Sequence, residues 1–98
     1  MVHVLIRHKV EDYNRWRATF DDALMMRRNA GEQSYRVFRN YEDANEVTVL
    51  CDFDTLEHAK AFANSSGLKT AMQASGVIDA PAVQYLQEAV VIRRSAAD

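Results

Sequence analysis

The sequence predicts an α+β domain of order β-α-β-β-α-β, and three observations carry that prediction. Apolar residues recur with period two in the runs Val2 to Val10, Gln33 to Asn40 and Glu46 to Phe53, and again after Pro81. Helical spacing fills the stretch between the first and second runs and most of the stretch between the third and fourth. The second and third runs are joined only by Tyr41-Glu42-Asp43-Ala44-Asn45, a polar connection of the length and chemistry of an antiparallel hairpin.

Each element has a local reason. In the first strand Val4, Ile6 and His8 share one face, and His3, Leu5, Arg7 and Lys9 share the other. Asp12 suits the cap of a helix running to about Ala30, with Tyr13, Trp16, Phe20, Ala23 and Leu24 as its buried stripe and Gly31 at the left-handed stop. The doublets Arg27-Arg28 and Arg93-Arg94 fall at element ends and are expected to face water. On the second strand Tyr35 and Val37 oppose Phe38. Asp54 or Thr55 caps a second helix whose inner stripe is Leu56, Ala59, Phe62 and Ala63, with Glu57 placed for a capping box to Asp54. Asn64-Ser65-Ser66-Gly67 interrupts it, and Leu68, Ala71 and Met72 predict a further turn or two before Gly76. Pro81 cannot donate to a ladder, so the last strand is expected from Ala82 to about Glu88.

Right-handed crossovers then give a four-stranded antiparallel sheet with both helices on one face, a ferredoxin-like arrangement over residues 1–89 followed by a tail, residues 90–98. On the third strand Val47, Val49, Cys51 and Phe53 form the row expected under the helices. The opposite row, Glu46, Thr48, Leu50 and Asp52 beside Leu5 and Arg7, is too apolar at its centre to leave bare. A second copy packed on that face would cover it, so a homodimer is expected, with Arg7 and Asp52 paired there. The tail either extends the last strand to that partner or frays.

Composition excludes several classes. With 12 basic and 14 acidic residues the net charge is −2, which does not suit a nucleic-acid partner. The third strand also lacks the exposed basic and aromatic residues of an RNA-recognition sheet, and no glycine-containing loop of an amino-acid-binding regulatory domain joins the first strand and helix. Cys51, the single cysteine, sits in an apolar run and reads as a buried thiol. No apolar run approaches a membrane span and the start lacks a leader pattern, so no membrane partner and a cytoplasmic location are expected. The three histidines show no metal-site spacing, and no metal is expected.

Over residues 2 to 88 the chain resembles the dimeric α+β barrel superfamily, and within it the antibiotic-biosynthesis-monooxygenase-like proteins. The resemblance lies in Leu5-Ile-Arg-His-Lys-Val-Glu-Asp-Tyr-Asn-Arg-Trp, Glu46-Val-Thr-Val-Leu-Cys-Asp-Phe-Asp-Thr, Leu56-Glu-His-Ala-Lys-Ala-Phe, Gly67-Leu-Lys-Thr-Ala-Met and Val83-Gln-Tyr-Leu. It implies a dimer with a pocket between sheet and helices in each subunit. Oxygenase members carry a Trp at the end of the third strand and an Asn four residues earlier; Phe53 and Val49 stand in those places, without the indole N–H or the amide. The resemblance matches Lys69 to a basic residue of the short second helix. Haem-degrading relatives need an axial histidine in the second helical region, and none lies between residues 59 and 98. No cofactor is therefore expected.

Among candidate site residues His8 comes first: on the helix-facing side of a strand end, a neutral imidazole can act as a general base, or simply hydrogen-bond to neighbouring backbone. Tyr35 and Tyr85 offer phenols that could enter the same space, or pack with the hydroxyl in water. Trp16 and Phe20, one helical turn apart, together with Phe53 and Phe62 could wall an apolar pocket or form plain core. Two functions follow. One is a monooxygenase-like or cyclase-like enzyme acting on an aromatic or polyketide-type compound; the other is a non-catalytic binding or structural dimer.

Overall fold

The computed structural model describes residues 1–94, and the last part of the expected tail, residues 95–98, lies outside them. The elements are β1 (Val2–Lys9), α1 (Tyr13–Asp22), α2 (Leu24–Asn29), β2 (Glu32–Arg39), β3 (Glu46–Phe53), α3 (Leu56–Ala63), α4 (Ser66–Ala74) and β4 (Ala82–Gln87). The strands form one antiparallel sheet in the order β2-β3-β1-β4. This is the ferredoxin-like topology that the order of periodic segments predicted.

Parity along the two central strands decides which face is covered. Val4 and Ile6 on β1 and Val47, Val49, Cys51 and Phe53 on β3 are all less than 5% exposed, and they pair across the ladder as Val4 with Cys51 and Ile6 with Val49. Trp16, Ala59 and Phe62 close over them from the helices. Burying such side chains contributes about 1.5–3 kcal/mol each. Asp12 caps α1 by accepting from the Asn14 N–H at 3.1 Å, Thr55 caps α3 through His58 N–H at 3.0 Å, and Ser65 caps α4 through Leu68 N–H at 3.2 Å. Of the two capping candidates before α3, the cap is therefore Thr55. The Asp54 carboxylate turns instead to the Thr55 N–H and the His58 ring.

The first helical segment departs from the expected single helix. It breaks at Ala23, although neither glycine nor proline lies nearby. The cause is Arg27, which sequence reading placed in water and which is only 3% exposed. Its Nη1 donates to the Phe20 carbonyl, the acceptor that a continuous helix would offer to the Leu24 N–H. A side chain inserted into the ladder kinks a helix. Arg28, its neighbour, is exposed as expected.

Arg27 is held by charge. Its Nε lies 3.1 Å from both carboxylate oxygens of Glu32, itself 5% exposed, and its guanidinium lies 3.6 Å from the Phe20 ring centroid. Gly31, at φ +113°, turns the chain so that Glu32 enters β2 pointing back at Arg27, and the irregularity between Glu32 and Ser34 lets that inward direction coexist with the register of Tyr35. Nη2 of Arg27 has no hydrogen-bond partner among the described residues.

Two further expectations are corrected. Asp52 does not pair with Arg7, which stands opposite Thr48; it accepts from Ser34 Oγ at 2.6 Å and bonds to His3, its partner across the ladder. Leu56 is 45% exposed, because the start of α3 overhangs the β4 edge, where no strand residue is buried.

A buried charge that loses its partner is costly, at about 3–5 kcal/mol. Glu32→Leu should therefore lose about that much stability in urea unfolding, while Arg27→Leu combined with Glu32→Leu should lose much less than the sum of the two single changes. Additive losses would show that the pair is not coupled.

Candidate functional site

His8 is placed by β1, whose alternation turns it inward beside Ile6, and by β3, whose Val47 stands opposite it. The ring is 3% exposed. Its Nδ1 lies 3.2 Å from the Val47 carbonyl oxygen, which can only accept, so the proton of the neutral ring sits on Nδ1 and the lone pair on Nε2. Burial lowers the His8 pKa below the ordinary histidine value; hydrogen bonds to its own and the Val47 backbone and the charge of Asp79 oppose that effect without cancelling it. The imidazole is therefore neutral at pH 7.

The ring borders a cavity of about 50 Å³ between sheet and helices. Ile6, Val49 and Cys51 form its sheet side. Trp16 and Phe20, stacked with centroids 4.9 Å apart, form one wall with Thr19, Ala23 and Met26; Trp16 also meets the His8 ring edge-on at 5.6 Å. Phe62 of α3 and Leu68, Ala71, Met72 and Ser75 of α4 and its cap close the other side. Polar atoms here are few and mostly committed. Ser75 Oγ donates to Met72 O at 3.0 Å and Thr19 Oγ1 to Arg15 O at 3.5 Å. Burial pushes the Cys51 thiol far up, so it stays protonated and unreactive. The Ser75 and Thr19 hydroxyl oxygens can still accept a hydrogen bond, but the His8 Nε2 lone pair is the one basic enough to take a proton from a guest molecule.

Of the sequence-predicted site residues, His8, Trp16, Phe20, Val49 and Phe62 line this cavity. Tyr35 stands behind Phe20, edge-on at 5.1 Å, and Phe53 is fully buried against Phe62 at 5.3 Å, outside the lining. Lys69 is exposed on α4. Tyr85 lies on β4 beneath Lys60, whose Nζ is 5.9 Å from the ring centroid. The two tyrosines do not share a space, because β2 and β4 are opposite edges of the sheet. Sequence reading did not assign Cys51, Met26, Leu68 or Met72 to the lining; parity with Val49 would have found Cys51, whereas the others depend on how α2 and α4 dock.

Among the described residues no three His, Cys, Asp or Glu side chains converge as a metal site, and no helix is long and apolar enough to cross a membrane. The exposed pair His58–Asp54, at 2.8 Å, joins the last turn before α3 to its first turn.

No protein-family model and no curated protein sequence matches the chain. Solved structures do match its fold. A Bordetella bronchiseptica protein assigned to the antibiotic biosynthesis monooxygenases superposes with a TM-score of 0.76 at 16% identity, over 91% of this chain and 97% of that one. SnoaB, a cofactor-independent oxygenase from Streptomyces nogalater, superposes at 0.74 with 9% identity, over 95% and 97%. A Caulobacter crescentus protein given the same monooxygenase assignment superposes at 0.72 with 21% identity, over 91% and 90%. The chain thus has the fold of the antibiotic-biosynthesis-monooxygenase-like proteins along nearly its whole length.

Proposed function

We propose that this chain is one subunit of a homodimer that admits a small, largely apolar aromatic compound between sheet and helices, where His8 takes a proton from the compound's hydroxyl group. The observation that carries this reading is the neutral His8, with its Nδ1 proton committed to the Val47 carbonyl and its Nε2 lone pair uncommitted beside an apolar cavity. Removing a proton from an aromatic hydroxyl leaves an electron-rich anion. Such an anion can react with dioxygen or close a ring with no bound cofactor, so a monooxygenase-like or a cyclase-like outcome begins with the same step. The fold shared with a cofactor-independent oxygenase supports the first outcome. The unpaired thiol of Cys51 suits the reducing cytoplasm.

Size favours a second reading as well. A cavity of about 50 Å³ holds a few waters, and an aromatic ring needs about 150 Å³. Admission of a ligand therefore requires a wall to move, and α4, which carries no buried residue, is the wall held least firmly. If α4 does not yield, the protein is a non-catalytic dimer with a filled core. In either case a second copy would cover the outer sheet face, where Phe38 and Leu86 are exposed at 46% and 42% and Leu5 and Leu50 are half-buried.

Native mass spectrometry of freshly purified protein should give a dimer with extra mass that denaturation releases; a monomer would remove the basis for the assembly. Titration with 1-naphthol, followed by NMR, should perturb the Trp16 and His8 rings. His8→Leu should weaken binding about threefold to tenfold, the worth of one net hydrogen bond. Equal binding by the variant would refute the role given to His8.

The lowered pKa also fixes a pH dependence. The unfolded chain protonates this histidine near its ordinary value of 6.5, whereas folded His8 holds out to lower pH. The stability associated with neutral His8 is thus complete above pH 6.5 and is lost as pH falls through the folded pKa. His8→Gln keeps a donor for Val47 O and does not titrate. Between about pH 7.5 and about pH 5 its urea midpoint should fall less than that of the unaltered protein.

A further inference from the structure

His8 borders two spaces. One is the apolar cavity. The other is an open polar cleft of about 340 Å³ lined by Arg7, Lys9, Glu46, Asp79, Ala80 and Ala82. The cleft exists because β4 begins opposite Arg7, so the last two residues of β1 outrun it. Asp79 fills part of the gap: its Oδ1 accepts the Lys9 backbone N–H at 2.8 Å, while Ile78 N–H returns a bond to the Lys9 carbonyl at 3.0 Å. That pair of bonds fixes a carboxylate at the wet side of the histidine.

We infer that His8 and Asp79 form a proton relay across β1, His8 taking protons on the cavity side and Asp79, as a positioning residue, drawing them out through the cleft. The inference rests on the reading of His8 as a proton acceptor and adds the route by which it is reset. The ligand O–H bond breaks with its electron pair left on oxygen, and the proton adds to the Nε2 lone pair. The imidazolium then gives up its Nδ1 proton to cleft water beside the Asp79 carboxylate, and after the product leaves, water takes the Nε2 proton while another proton returns to Nδ1, which restores the starting tautomer. A buried base walled only by apolar groups and its ligand has no water to which it can pass the proton. The charges around His8 favour this side: Arg7 and Lys9 flank it on β1, Glu46 and Asp79 line the cleft, and Lys9 is drawn aside by Asp43, at 3.5 Å. On the helix side the cavity lining holds no other charged residue. The Asp79 charge acts to raise the His8 pKa, in the direction a relay requires.

The test uses ligand-free protein, so its outcome is independent of 1-naphthol binding. The His8 ring is titrated by 15N NMR and the exchange of its N–H with water is measured in the unaltered protein, in Asp79→Asn and in Asp79→Ser. Both replacements keep an oxygen for the Lys9 N–H, and amide spectra check that each variant is folded. The expected result is a lower His8 midpoint and ring-proton exchange slowed several-fold in both variants. An unchanged midpoint, or exchange as fast as in the unaltered protein, would overturn the relay. So would an equally large effect from Glu46→Gln, which would mark a general field of the cleft in place of a specific route.

Discussion

The buried pair Arg27–Glu32 is the constraint on which the inner architecture depends. A domain of 98 residues has a net stability of about 5–15 kcal/mol, so one uncompensated buried charge would remove a large part of it. Keeping the pair intact dictates its surroundings. The guanidinium takes the Phe20 carbonyl and breaks the helix at Ala23; its flat face lies on the Phe20 ring, whose neighbour in the stack is Trp16. Glu32 in turn must open β2 facing inward, which requires the left-handed Gly31 before it. At Gly31 the φ of +113° strains any other residue, and an added Cβ would come within 2.6 Å of Asp54 Oδ1, so that carboxylate would have to shift from His58 as well.

The aromatic column that Arg27 supports is also a wall of the cavity, which links the energetics of the core to the candidate chemistry. Phe20 is held from behind by the buried Arg27 guanidinium and meets Tyr35 edge-on, and Trp16 stacks on Phe20. That wall is therefore the more tightly packed of the two. The opposite wall is α4, whose cavity-facing side chains are only half-buried. One tightly packed side carrying the aromatic surface and one yielding side is an arrangement in which a guest can enter without disturbing the sheet that orients His8.

What could be read in the sequence follows from which signals are local. The β3 row Val47, Val49, Cys51 and Phe53 was legible because alternation reports burial directly, and Asp12 and Gly31 were legible because caps are local chemistry. Arg27 was not. A basic residue near a helix end reads as water-facing unless its partner is known, and the partner arrives from the next element. The break at Ala23 is a consequence of that contact and carries no signal of its own. The pairing of Asp52 with His3 instead of Arg7 turned on the register of β1 against β3, which parity narrows but does not set. At the site, parity placed His8 and Val49 on the inner face, while the distance between Tyr35 and Tyr85 required knowing that their strands are opposite edges.

The residues at positions 49 and 53 bear on how chemistry could work on this fold. Val49 lines the cavity with no polar atom, and Phe53 is buried outside it. Neither can orient a ligand by hydrogen bonding. The hydroxyls of Thr19 and Ser75 donate to carbonyls of their own helical segments, and the Cys51 thiol is held neutral. Under the proposed function, proton transfer would fall to one group, the Nε2 of His8, whose proton-bearing nitrogen is fixed by Val47. Such a site, with one basic group in a largely apolar enclosure, would select by shape and by the presence of an acidic hydroxyl. It discriminates weakly among apolar ring systems that fit, because a methylene more or less in such a pocket changes selectivity by only about 1–3 kcal/mol. Under the proposed function, specificity would lie in which ring shapes the space between the Trp16–Phe20 wall and α4 admits.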